Sequence, residues 1–167
     1  MTGAPTISTD RLVLRPLTMA DHPSYVAFVT SDRARYMGGP HEEEAGWEWL
    51  TNDVAQWTLQ GFGGLAIMHG GAHAGQVSVT QGVEFPEPEL GWFLLDGHEG
   101  NGYAREAATA LRTWVIAENR VKSLVSYIDP ANASSIRVAE ALGARFDAAA
   151  ARPEGSGCRV YRHEVAA

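Results

Sequence analysis

The chain has a single cysteine, Cys158, so no intrachain disulfide can form and no cysteine-based zinc cluster is spelled out. A reducing, cytoplasmic setting is the expectation, with no metal and with Cys158 as a structural thiol rather than a nucleophile. Long apolar runs are missing too. Nothing approaches the roughly 18 residues of a membrane-spanning helix, and no membrane partner is expected. Met1 to Asp10 has neither the basic start nor the apolar stretch of a secretory leader. Positive charge is scarce: 13 Lys and Arg stand against 20 Asp and Glu, a net charge of -7. The basic footprint of a nucleic-acid binder is therefore absent. No repeat, low-complexity tract or linker breaks the 167 residues, and one domain, 1–167, is expected.

What is present reads as a globular α/β chain, with 45% hydrophobic and 20% charged residues. Arg11 to Arg15 alternates with the period of a half-buried strand, which Pro16 ends. Thr18 and Asp21 have helix-capping spacing and open a helix to about Val29. From Glu42 to Gln60, Trp47, Leu50, Val54 and Trp57 mark one face of a second helix, with Gly61 as its cap. Residues 64–69 and 76–81 are expected strands, joined by a loose glycine turn over 70–75. Glu89 to Leu95 is a more continuously apolar strand, expected to be central. Tyr103 to Asn119 carries a helical stripe of Ala104, Ala107, Ala108, Leu111 and Val115. A strand over Ser123 to Ile128, a helix over Ala133 to Leu142 capped by Asn132, and a last strand over Cys158 to Val165 complete a mixed sheet with helices packed on it.

The chemistry concentrates after Glu89. A strand runs into a turn holding Gly97, Gly100 and Gly102, and the turn opens an amphipathic helix. A helix N-terminus leaves amides unpaired and carries the positive end of the dipole, while glycine lets a ligand approach the backbone. These parts suit a pyrophosphate, although a tight connection with no ligand explains the same glycines about equally well. A P-loop is excluded because no Gly-Lys-Ser/Thr follows. A Rossmann fingerprint is excluded because its third glycine falls on Arg105.

The segment Gly100-Asn101-Gly102-Tyr103-Ala104-Arg105-Glu106-Ala107 resembles the coenzyme A pyrophosphate loop of the GNAT acetyltransferases, Gln/Arg-x-x-Gly-x-Gly/Ala. Gly102 and Ala104 take the two small positions, and Glu99 stands where Gln or Arg is usual. Asp129 to Ala144 is similar to the Asn-x-x-Ser helix of the ribosomal-protein N-terminal acetyltransferase branch, through Asn132 and Ser135. Arg11 to Arg15 and Met37-Gly38-Gly39-Pro40 resemble that branch as well.

The resemblance implies an α/β (α+β) GNAT fold: a mixed, mostly antiparallel sheet of about six or seven strands flanked by about four helices. It implies an acetyl-CoA-dependent N-acetyltransferase that moves the acetyl group to a primary amine, a protein N-terminus or a small molecule, by direct attack in a ternary complex. Gly100, Asn101, Gly102, Tyr103, Ala104 and Arg105 would take the diphosphate. The N–H groups of Phe93, Leu94 and Leu95, with Asn132 and Ser135, would take the pantetheine and thioester. Glu89 is the candidate general base, with Glu84 and Glu87 as competitors. The tyrosine that many relatives use as general acid falls on Ala139 here, which leaves Ser135 or water. Tyr103 would pack beneath the cofactor, and Trp92 and Phe93 would divide between core and cleft. Acceptor recognition would fall to the segment Tyr36 to Trp57 and the loops near 81–89. A homodimer through edge strands stays open. Two rival readings remain: a GNAT-like acyl-CoA sensor or scaffold without turnover, and a nucleotide-binding protein unrelated to coenzyme A.

Overall fold

A computed structural model describes residues 3–165. Among these residues eight strands form one sheet, in the order β1-β2-β3-β4-β5-β6-β8-β7. They are β1 (Ile7–Ser8), β2 (Val13–Pro16), β3 (Gly64–His69), β4 (Ala72–Thr80), β5 (Glu89–Leu94), β6 (Val125–Ile128), β7 (Arg145–Phe146) and β8 (Arg159–Arg162). Every neighbouring pair is antiparallel except β5 and β6, which run parallel. Four α-helices, α1 (His22–Val29), α2 (Glu44–Leu59), α3 (Tyr103–Ala117) and α4 (Ala133–Ala141), cover the sheet, with short 3-10 segments at Met19–Asp21 and Asp32–Met37.

The pleat sorts side chains between the two faces. Leu14, Leu65, Ile67, Val77, Val79 and Leu90 form one core with Ala107, Ala108, Leu111 and Val115 of α3. On the other face Phe93 packs with Tyr25, Phe28, Val29 and Leu50 of α1 and α2. Phe28 and Phe93 stack with ring centroids 4.0 Å apart. The expected stripe on α3 is buried in full, and β5 is central as expected, between β4 and β6.

Three expectations need correction. The loose turn over 70–75 contracts to Gly70 and Gly71, both at positive φ, and β4 begins at Ala72. Such a two-residue hairpin matches the strand twist. Gly75 belongs to the strand, where a Cβ would collide with the Phe93 carbonyl of β5. The buried face of α2 is Gly46, Leu50, Asp53, Gln56 and Trp57, whereas Trp47 and Val54 are exposed. Burial of Asp53 is tolerated because its Oδ2 accepts from Tyr25 Oη and Gln76 Nε2, both at 2.6 Å. The helix expected from Thr18 starts instead as a 3-10 turn, with Thr18 N–H donating to Asp21 Oδ2 at 2.8 Å.

Candidate active site

Gly102 caps α3 at φ 79°, and Gly100 sits at φ 77°. Side chains rarely adopt that region, so both turns depend on glycine. The first intrahelical bond runs from Glu106 N–H to Gly102 O, 3.1 Å. The amides of Tyr103, Ala104 and Arg105 therefore precede the helical ladder and have no intrahelical acceptor. Asn101 Nδ2 donates within the turn to Glu99 O at 3.1 Å. Arg11 ties the turn down: its Nη1 donates to Asn101 O at 2.8 Å, and its guanidinium pairs with Glu106 Oε2 at 2.7 Å. Arg11 also lies over the Tyr103 ring, 5.1 Å from the centroid. Burial pushes the Glu106 carboxyl up, but hydrogen bonds from Thr9 and Arg11 outweigh it and hold the carboxyl below its usual range.

Beside this turn the sheet opens. The parallel pair β5 and β6 shares only the register Glu89↔Val125, and the two strands part beyond it. Leu95 N–H donates to Ala74 O at 2.9 Å, toward β4. Successive residues of a strand point their amides to opposite edges. The amide of Phe93 accordingly turns to β4 as well, and those of Trp92 and Leu94 turn to the gap. At the floor, Ser126 Oγ donates to Leu90 O at 2.6 Å and accepts from His163 Nε2 at 2.9 Å, joining β6 to β5. Burial, aided by Arg112, pushes His163 down to about 4, so the ring is neutral at pH 7.

The gap is a cleft of about 580 Å³. Of the residues that the sequence singles out, Glu89, Phe93, Leu94, Gly100, Gly102, Tyr103, Ala104, Arg105, Asn132 and Ser135 line it. Asn101 and Leu95 do not, and the Leu95 and Phe93 amides expected in the cleft are turned to β4. Trp92 and Phe93 do not divide between core and cleft, because both line the cleft while packing against core clusters. Glu89 is partly accessible from the cleft, and burial pushes its carboxyl up to about 7, offset in part by a hydrogen bond from the Tyr127 amide. Of its two competitors, Glu84 is exposed, and Glu87 is held bidentate by Arg162 at 2.8 and 2.9 Å. The Asn132 side chain caps α4, its Oδ1 accepting from Ser135 N–H at 3.1 Å. Ala139, at the tyrosine position, is fully buried. Cys158 lies outside the cleft lining.

The sequence reading missed Arg33, Ser126 and Tyr127, which also line the cleft or its rim. Arg33 donates to Leu94 O from Nη2 at 2.8 Å and Nε at 3.2 Å, and forms an ion pair with Glu99. Only a contact across 66 residues reveals that pair, so no local pattern signals it. Tyr127 left a readable trace as an aromatic in the strand after α3, with its hydroxyl accepting from Glu87 N–H at 3.2 Å.

Comparison with known proteins matches this architecture. The chain is 43% identical to an acetyltransferase from Agrobacterium tumefaciens str. C58 of known structure, with a TM-score of 0.93 over 98% of this chain and 96% of the other. An uncharacterized Bacillus subtilis (strain 168) protein, YkkB, is 32% identical over 146 residues, 83% of this chain and 84% of its own. The fold also resembles RimL, a ribosomal L7/L12 alpha-N-protein acetyltransferase solved in complex with coenzyme A. There the identity is 16% and the TM-score 0.77, over 96% and 98% of the two chains. The family model for the acetyltransferase (GNAT) domain spans residues 11–145. With its fold, its glycine turn and this match together, the chain belongs to the GNAT acetyltransferase family.

Proposed function

We propose that this protein is an acetyl-CoA-dependent N-acetyltransferase that acylates a primary amine by direct attack in a ternary complex. The observation that carries the proposal is the junction of two features in one cleft: amides without intrahelical acceptors at the start of α3, and a carboxyl pushed up to about 7 at the start of β5. The residues present fit coenzyme A. Amides of 103–105 suit a diphosphate, and the outward amides of Trp92 and Leu94 offer donors to an extended pantetheine arm. Acetyl-CoA supplies the activated acetyl group as a thioester.

This chain's own groups then have separable tasks. Glu89, half ionised near neutral pH, takes the proton from the amine, directly or through water. The free edge of β5 presents N–H donors to the thioester oxygen, where charge develops. Ser135 lines the same cleft and presents a hydroxyl to the departing sulfur. Cys158 has no part in the transfer. The acceptor enters from the side of Tyr36 and Met37, which also line the cleft.

A thiol-release assay with acetyl-CoA against amines, including peptides of varied N-terminal residue, tests the proposal. Amine-dependent release with at least one acceptor is expected. Tight coenzyme binding without turnover for every amine supports the sensor reading instead.

A further inference from the structure

The turn that would receive a diphosphate carries an acidic residue at its edge. Glu99 is exposed at the cleft, one residue before Gly100. An unpaired carboxylate there opposes any polyanion that approaches the amides of 103–105. The chain meets this from a distant segment. Arg33, in the second residue of the 3-10 segment Asp32–Met37, pairs with Glu99 and holds the Leu94 carbonyl with two nitrogens. Arg33 thus touches the strand edge and the phosphate turn at once. A guanidinium has five donors in a rigid fork. Two nitrogens engage Leu94 O, and the Glu99 contact uses Nη1, so N–H bonds remain to meet phosphate oxygens.

The placement of Arg33 also has a structural consequence. The Ser31 hydroxyl caps its segment by accepting from Arg33 N–H at 3.3 Å. The same segment carries Arg35, Tyr36 and Met37 to the rim of the cleft. Arg33 is therefore the link between the rim that faces the acceptor and the turn that faces the diphosphate.

We propose that Arg33 is a coenzyme-binding residue that neutralises Glu99 and supplies the cationic contact to the diphosphate, tying the Asp32–Met37 segment to the loaded cleft. The proposal rests on the coenzyme reading above and adds a residue and a charge balance to it.

The test is calorimetric titration of coenzyme A and of dephospho-coenzyme A, which keeps the diphosphate and lacks the 3′-phosphate. The proteins are wild type, Arg33→Gln, Arg33→Lys, Glu99→Gln and the Arg33→Gln/Glu99→Gln pair. Arg33→Gln should weaken both ligands about tenfold or more. Glu99→Gln should tighten both, and the double variant should return to within a few-fold of wild type. Arg33→Lys should recover part of the loss, and the tightening by Glu99→Gln is the result that a purely structural role in holding Leu94 O does not predict. Equal affinities for wild type and Arg33→Gln overturn the proposal. So does weakening by Glu99→Gln in parallel with Arg33→Gln, or an Arg33 effect seen only with the 3′-phosphate present. Failure of wild type itself to bind coenzyme A removes the coenzyme reading, and the Arg33 assignment with it.

Discussion

Replacing Glu89 with glutamine keeps the side chain's size and removes its titration. Two effects of opposite sign should follow. Without a base, kcat/KM should fall by about 10²–10⁴-fold. In wild type, kcat/KM should rise with pH through an apparent pKa near the value of about 7 that burial gives this carboxyl. The variant should lose that limb and keep only the limb set by the amine. Stability moves the other way. The folded pKa, about 7, lies above the ordinary glutamate value of 4.5, so the native state holds this proton more tightly than the unfolded chain. The resulting stabilisation is complete below the unfolded pKa and is lost as pH rises through the folded one. Between about pH 5.5 and 8.5, linkage puts that loss on the order of 2 kcal/mol. Partial access of the side chain to the cleft lets water screen some of it, which leaves ~1–2 kcal/mol. Glu89→Gln should therefore gain that much on wild type between the two pH values in urea unfolding. An unchanged acidic limb in the variant, or a stability difference that ignores pH, would show that Glu89 is not the titrating base.

Tyr25→Phe leaves the buried Asp53 carboxylate with Gln76 as its remaining side-chain donor; urea unfolding should register a loss of about 1–3 kcal/mol. Glu106→Gln removes the charge that anchors Arg11, and through Arg11 the Asn101 carbonyl. In steady-state kinetics, KM for acetyl-CoA should rise a few-fold while kcat holds. Gly102→Glu introduces an anion and a side chain at φ 79°; coenzyme A binding should vanish in a titration, and near-normal affinity would count against the turn as the site.

Much of the frame was legible because it is local. The alanine-rich stripe of α3 and the glycines at 100 and 102 follow from periodicity and from backbone conformations that only glycine takes easily. The errors came where partners lie far away in sequence. Asp53 is not on the face that Trp47, Leu50, Val54 and Trp57 mark; Tyr25 and Gln76 satisfy its carboxyl, and the buried face of α2 is shifted accordingly. Gly75 read as turn material, but it is a strand residue kept small by the neighbouring Phe93 carbonyl. The edge strands β1 and β7 have two residues each, too few to show alternation. The resemblance to the family's strand puts the Leu95 amide in the cleft, yet the direction of that amide depends on where β4 lies. Arg33 offered no local sign, because its meaning comes from Glu99.

The central claim is that the amides opening α3 bind the coenzyme's diphosphate. A crystal structure of the protein with coenzyme A tests it most directly. Phosphate oxygens are expected within hydrogen-bond distance of the amides of 103–105, with the pantetheine arm running between β5 and β6. Coenzyme density elsewhere on the molecule, with that turn making no phosphate contact, would contradict it.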